Sequence, residues 1–305
     1  MAVQTLSLRD GDRDPAGLAA ALGQSLETTG FAVVADHGID PALIAQAEAK
    51  ARAFFALPDA EKRRFHVAGG AGQRGYTPFG TEAAKGSDAV DLKEFWHVGR
   101  ALPAGHAHAA LMPANVWPER PAGFAETMLA LFAALEAVGM QLLAAIGRHL
   151  GLPAGCFDDA IRDGNSVLRL LHYPPIAVSA AGIRAAAHED INTITLLLGA
   201  EEAGLELLTR EGEWIAVAPP PGALVMNVGD MLQRLTNGRL RSTTHRVANP
   251  SPERAGRSRY SMPFFLHFRP DFVIEPLPGM GGGEPPAPIT ADAYLRERLR
   301  EIGLL

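Results

Sequence analysis

Between Ser166 and Phe268 the chain breaks into seven short apolar runs: SVLRLLHY, TITLLLG, GLELLT, EWIAVA, ALVMNVG, THRVAN and YSMPFFLHF. Turn material such as REGE, PPPG and TNGR separates them. No other feature limits the fold as much. The runs are rich in β-branched, aliphatic and aromatic residues and are bounded by turn formers, which marks strands rather than helices. Many short strands at close spacing build a sandwich or barrel, and long hairpins joined into two facing sheets make a jelly roll. The expected class is mixed α/β, of the α+β kind. A double-stranded β-helix (jelly-roll) core over 166–275 is backed by helices. In front of it stand a mainly helical N-terminal region, 1–120, and a long backing helix with its connection, 121–165. A loop and helix, 276–305, close the chain.

The front half carries helix punctuation. Asp14-Pro15 is an N-cap followed by proline at the first helical position, Leu18, Leu22 and Leu26 form a stripe, and Gly30 stops the helix. FAVVAD follows as a buried strand, Asp40-Pro41 caps a second helix through Phe55, and a short third helix opens at Asp59. From Ala68 to Gly86 the chain is Gly-rich with neither helical nor strand period, a loop length usually tied to function. Apolar residues at Met128, Leu131, Leu135, Val138, Leu142, Ile146 and Leu150 mark an amphipathic helix with one buried face. Only nine residues separate its Glu126 from Glu136, too few to span a bilayer. Gly229-Asp230 and Asn237-Gly238 have the composition of turns, and Asn-Gly is a strong hairpin signal.

Composition narrows the partners. The formal net charge is −6 and no four consecutive Lys/Arg occur, against a nucleic-acid footprint. The single cysteine, Cys156, excludes an intrachain disulfide and a cysteine-based zinc cluster. The opening MAVQTLSLRDGDRDPAG has no basic segment followed by an apolar one. These features lead to the expectation of a soluble, cytoplasmic protein that engages neither membrane nor nucleic acid.

The candidate chemistry lies in AAAHEDINTITLLLGA. If the segment is extended, His188 and Asp190 share a face, because side chains two apart on a strand point the same way. They can be two metal ligands, a catalytic His–Asp pair, or the polar start of an ordinary strand. A further histidine would complete the facial triad of non-haem Fe(II) sites, which leaves coordination positions open. His245 in RSTTHRVANP, 55 residues after Asp190, is the downstream candidate.

HEDINTITLLLG, GEWIAVAPPPGALVMNVGDMLQRLTNGRLRSTTHRV and RYSMPFFLHFRPD resemble the C-terminal core of the isopenicillin N synthase-like group of 2-oxoglutarate/Fe(II)-dependent dioxygenases. GFAVVADHGID, FFALPDAEKRRF and GYTPFGTEAAKGSDAVDLKEFWHVG resemble that group's N-terminal region, so the likeness covers roughly residues 4 to 275. The resemblance implies that His188, Asp190 and His245 bind Fe(II). It also implies that Arg259 and Ser261 of the Arg259-Tyr260-Ser261 triplet hold the distal carboxylate of 2-oxoglutarate, and that the Tyr173 hydroxyl assists. Guanidinium geometry agrees, since it suits a bidentate carboxylate with charge-assisted bonds worth roughly 1.5–3 kcal/mol each. Leu171-His172-Tyr173-Pro174 departs from the Asn-Tyr-Tyr-Pro of many plant members, so the Asn contact is missing and His172 is new there. His172 and His37 are expected to be structural, and Glu189 to face away from the metal.

The implied reaction oxidises a small molecule, by hydroxylation as the default, with O2 and 2-oxoglutarate as cosubstrates and succinate and CO2 as coproducts. Arg74, Tyr76, Phe79, Arg169 and Phe268 are substrate candidates by chemistry and location. Two further functions stay open: an Fe(II)/O2 oxidase that uses no 2-oxo acid, and a non-catalytic metal-stabilised binding barrel.

Overall fold

The computed structural model describes residues 3–81, 91–176, 182–199 and 204–301. The elements in chain order are β1 (Thr5–Ser7), α1 (Pro15–Thr29), β2 (Phe31–Ala35), α2 (Pro41–Phe55), α3 (Asp59–Lys62), β3 (Gly75–Thr77), β4 (Glu94–Gly99), α4 (Phe124–His149) and α5 (Asp158–Ile161). There follow β5 (Val167–Tyr173), β6 (Ala185–His188), β7 (Ile194–Leu198), β8 (Leu205–Leu208), β9 (Trp214–Ala216), β10 (Leu224–Val228) and α6 (Asp230–Leu235). The chain ends with β11 (His245–Val247), β12 (Arg259–Leu266), β13 (Val273–Ile274), β14 (Ile289–Thr290) and α7 (Ala291–Glu301). The seven apolar runs are β5 and β7 to β12.

Two sheets face one another. The larger has the order β1-β2-β10-β7-β12-β5-β4-β3, and the smaller β6-β11-β8-β9. Among the described residues, all their pairings are antiparallel except β1 with β2. Strand parity divides the larger sheet into two faces. Ala32 and Val34, Leu168 and Leu170, Ile194 and Leu196, Met226, Phe264 and Leu266 join the core on the helical side. There α4 buries Met128, Leu131, Leu135, Val138, Leu142 and Ile146, the stripe its spacing predicts. The alternate residues point between the sheets: Phe31, Val33 and Val225 pack on Leu205 and Leu207, and Phe95, Leu171 and Tyr173 pack with Ala185 and Val247.

The helix caps form as the sequence predicts. Asp14 accepts from Gly17 N–H at 2.8 Å, Asp40 accepts from Ala42 N–H at 2.8 Å, and Gly30 ends α1 at φ +73°. Two expectations fail. The Ala68–Gly86 stretch contains β3, whose three residues are too few to show an alternating period; residues 82–86 lie outside the described part. Asn237-Gly238 is a turn, as expected, but it follows α6 rather than joining a hairpin, whereas Gly229-Asp230 opens α6 instead of turning the chain. Asn237 (φ +48°) and Gly238 (φ +80°) terminate that helix through the left-handed region. Gly229 is needed for close approach, since a Cβ there would lie 2.2 Å from the Asn192 carbonyl oxygen.

One buried ionic network braces the helical side of β4. Glu94 accepts from Lys62 Nζ at 2.6 Å, from His172 Nδ1 at 2.7 Å and from the Tyr76 hydroxyl. Burial alone would raise the Glu94 pKa, but bonds from His172, Lys62 and Tyr76 outweigh it and the carboxyl sits below its usual value. His172 stacks on Tyr260 with centroids 4.6 Å apart, on the opposite face of β5 from Tyr173. Glu94→Leu strands the Lys62 ammonium in a buried site, and the expected loss is about 3–5 kcal/mol of unfolding free energy. Urea denaturation checks this, and adding Lys62→Met should recover part of the loss.

Candidate metal centre

His188 closes β6 and Asp190 stands two residues on, in the link to β7, so the pair straddles a strand end rather than lying within one strand. β11 runs antiparallel to β6 with His245 directly opposite His188. The two rings lie 4.5 Å apart, centroid to centroid. Nε2 of His188 and Nε2 of His245 are 3.9 and 3.8 Å from the same Asp190 oxygen, Oδ1. Ligand atoms of all three residues fall within 4.8 Å of one another. Two bonds of about 2.0–2.2 Å to a shared ion span up to about 4.4 Å, so the 3.8 and 3.9 Å separations are within reach of one ion.

The surroundings fix which atoms face the centre. His188 Nδ1 donates to Ala186 O at 2.7 Å, and His245 Nδ1 to Thr243 O at 3.1 Å. Carbonyls only accept, so both neutral rings carry the proton on Nδ1 and present the Nε2 lone pair. Asp190 Oδ2 accepts from Asn227 Nδ2 at 2.7 Å and from the Thr195 hydroxyl, which leaves Oδ1 for the centre. Burial, then the adjacent His245, push the His188 pKa down; the ring still keeps 37% of its side-chain surface, so solvent moderates the effect. Burial opposes the Asp190 charge, but both histidines and the bonds from Asn227 and Thr195 prevail, and its carboxyl titrates below the usual value. Two neutral imidazoles and one carboxylate suit a divalent cation and leave other positions open. Glu189 is exposed and accepts from Thr244 Oγ1 at 2.8 Å; it is not one of the three clustered ligands, but it lines the same cavity.

A second feature calls for an anion. Arg259 is 1% exposed, yet its Nε and Nη2 have no hydrogen-bond partner among the described residues, and Nη1 meets Ser261 Oγ at 3.2 Å. Its guanidinium lies 5.1 Å from the centre of the Tyr173 ring, the residue opposite it in the β12–β5 register. A buried, permanently charged fork with two unused donors fits a carboxylate.

A cavity of about 570 Å³ reaches His188 and Asp190. Arg169 and Phe265 line it, and one side is closed by Leu295, Arg298 and Leu299 of α7. Of the substrate candidates, only Arg169 lies there. Arg74 is buried outside the lining, with Nε on Pro113 O at 3.0 Å and Nη1 on Gln73 O at 2.7 Å. Tyr76 belongs to the aromatic core around Phe54, with its hydroxyl on Glu94. Phe79 is 44% exposed and outside the cavity. Phe268 is buried against Phe157 and Phe272. For Tyr76 and Phe268, strand parity is the reason: each points to the helical side.

Sequence reasoning missed Asn227, Thr195, Asn165 and His267. Asn227 carried a signal, as a polar residue inside the apolar run LVMNV; the others needed the sheet register. His267 lines the cavity at 8% exposure, and burial pushes its pKa down to about 4. The unfolded chain therefore binds this proton at a higher pH than the folded one. Between about pH 6.5 and pH 4, His267 should make stability fall as pH falls, by up to roughly 1.4 kcal/mol per pH unit. Urea denaturation across that window checks it, and His267→Phe should flatten the slope.

Comparison with known proteins gives consistent matches. Residues 3–120 match the family described as non-haem dioxygenase in morphine synthesis N-terminal, and residues 164–268 match the 2OG-Fe(II) oxygenase superfamily. A 2-oxoglutarate-Fe(II) type oxidoreductase of Aspergillus fumigatus is 34% identical over 81% of this chain and 75% of its own. The hxnY oxidoreductase of the same type from Emericella nidulans is 33% identical over 92% of this chain and 83% of its own. Among solved structures, a 2OG-Fe(II) oxygenase family protein from Caulobacter crescentus superposes with a TM-score of 0.92 at 51% identity, covering 99% of both chains. A full-length Neurospora crassa protein solved in complex with alpha-KG and thymine gives 0.86 at 28% identity over 98% of this chain and 96% of its own.

Proposed function

The chain belongs to the 2OG-Fe(II) oxygenase superfamily, and from that premise we propose that it is a 2-oxoglutarate-dependent dioxygenase that hydroxylates a small molecule within a jelly-roll core. It is an oxidoreductase whose cofactors are Fe(II) and 2-oxoglutarate. His188, Asp190 and His245 hold the iron through Nε2, Oδ1 and Nε2. Arg259 takes the distal carboxylate of 2-oxoglutarate, Ser261 adds its hydroxyl, and Tyr173 walls the same pocket. Bound Fe(II) and 2-oxoglutarate together supply the O2-activating chemistry. The chain's own groups prepare for it. Ala186 O and Thr243 O hold both histidines in the tautomer that offers Nε2. Thr195 and Asn227 hold the carboxylate. The sheets keep bulk water from Arg259.

Arg259 is the observation that carries this reading. A buried guanidinium with two unpartnered donors among the described residues calls for a carboxylate, and 2-oxoglutarate brings one. The cavity of about 570 Å³ has the size of a small-molecule site, and a small planar molecule such as the thymine held by the Neurospora protein fits within it.

Anaerobic addition of Fe(II) and then 2-oxoglutarate should produce a weak visible charge-transfer band, and admission of air should release succinate. Intact protein that binds Fe(II) but gives no band would count against use of 2-oxoglutarate. A band without succinate would count against turnover.

A further inference from the structure

The wall of the cavity formed by the ends of β5 and β12 has no task in holding iron or 2-oxoglutarate. Val167 pairs with Phe265, and continuing that antiparallel register sets Asn165 beside His267. Two bonds hold this corner: His267 N–H to Ser166 Oγ at 3.2 Å and Asn165 N–H to Phe268 O at 3.4 Å. Both side chains line the cavity that contains His188 and Asp190. Asn165 is 7% exposed and His267 8%, yet Asn165 Oδ1 and His267 Nδ1 are buried without a hydrogen-bond partner among the described residues. Leaving such an atom unmet is unfavourable, so two on one wall are a cost that a ligand would remove.

The kind of ligand follows from the donors and acceptors. An asparagine amide offers an acceptor and a donor in one plane, and its complement is a donor beside an acceptor. A neutral imidazole adds one more group of either kind, and burial keeps His267 neutral at pH 7. Among the described residues, the side chains nearest this corner offer no carboxylate or unengaged cation to the cavity: Arg169 Nε donates to His97 Nε2 at 2.5 Å, and Arg74 is turned outside the lining onto the Pro113 and Gln73 carbonyls. The Arg169 guanidinium lies 4.2 Å from the Phe95 ring centre and 5.3 Å from that of Phe265. Phe265 is only half-buried and lines the cavity, which gives a planar guest a face to stack on.

We propose that Asn165 and His267 are the specificity-determining residues for the prime substrate, and that they select a neutral planar molecule presenting a cis-amide edge, such as a lactam or imide ring. This rests on the cavity's being the substrate site of an iron oxygenase, as proposed above.

The test uses three probes on protein loaded anaerobically with Fe(II) and 2-oxoglutarate, read by equilibrium dialysis. Uracil has the cis-amide edge, 1,3-dimethyluracil keeps the ring but lacks both N–H donors, and benzoate is a planar anion. Uracil should bind, with the other two at least about tenfold weaker, the worth of one hydrogen bond. Asn165→Leu and His267→Phe should each weaken uracil by a similar factor while retaining the charge-transfer band. The proposal is overturned if uracil does not bind, if dimethyluracil or benzoate binds as tightly, or if both variants bind uracil like the wild type. The probe comparison on wild-type protein stands even if a variant misfolds. A missing band alongside uracil-selective binding would sink the iron-oxygenase reading alone.

Discussion

Asp190→Ala should abolish Fe(II)-dependent succinate formation and leave the protein folded. Asp190 brings the one negative charge among the three clustered ligands, and its Oδ1 is the atom both Nε2 groups approach. Loss of an outer partner to a metal ligand already costs about 10–100-fold in metal affinity. Loss of the carboxylate itself should therefore weaken Fe(II) binding by at least about a hundredfold. The fold should survive. Thr195 Oγ1 still has Asn192 as a neighbour at 3.0 Å, and Asn227 Nδ2 loses a single acceptor. That is a penalty of about 1–3 kcal/mol against the roughly 5–15 kcal/mol typical of a domain. Fe(II) dialysis beside a circular-dichroism melt measures both effects. Asp190→Asn separates charge from shape, since it can keep a bond to Thr195 but not the negative charge. An alanine variant that binds Fe(II) nearly as tightly as wild type would remove Asp190 from the ligand set.

The parts of this molecule legible in sequence are those set by local rules. Alternation in VLRLLHY and RYSMPFFL identifies strands, because in a two-faced sheet the period of two is imposed on every residue. The Asp-Pro caps of α1 and α2 are equally local. His188 and Asp190 are near neighbours, so their pairing needs only a short stretch of chain. What escaped depended on register between distant segments. Tyr76 and Phe268 have the chemistry of substrate contacts, but parity turns both to the helical side, and parity is known only once the strand's partner is known. Asn165 and His267 come together because β5 pairs antiparallel with β12, a strand far downstream in the chain. α7 reaches the cavity through tertiary packing that its polar composition does not announce. The triad is thus partly local and was accessible, whereas the substrate wall is a product of topology.

Arg259→Met should weaken 2-oxoglutarate binding by about a hundredfold or more without destabilising the ligand-free protein, and this pairing of effects distinguishes a cosubstrate anchor from a structural cation. Arg259 is 1% exposed, and its Nε and Nη2 have no partner among the described residues. A buried charge without compensation lowers stability. A methionine of similar length removes that charge and keeps the apolar stem against Tyr173, so the melting midpoint without ligand should hold or rise. The wild type should gain from cosubstrate: a ligand at about 100 times its Kd stabilises by roughly 2.7 kcal/mol. The variant should show no such gain, because two charge-assisted bonds of about 1.5–3 kcal/mol each are missing, which corresponds to roughly a hundredfold or more in 2-oxoglutarate KM. Turnover at saturating 2-oxoglutarate should change much less, as expected when the lost interaction is equally strong in ground and transition states. Arg259→Lys should fall between, since an ammonium restores charge but not the planar fork. A methionine variant that melts well below wild type yet keeps its 2-oxoglutarate KM would make Arg259 a structural cation, and the cosubstrate's carboxylate would have to be sought elsewhere in the barrel.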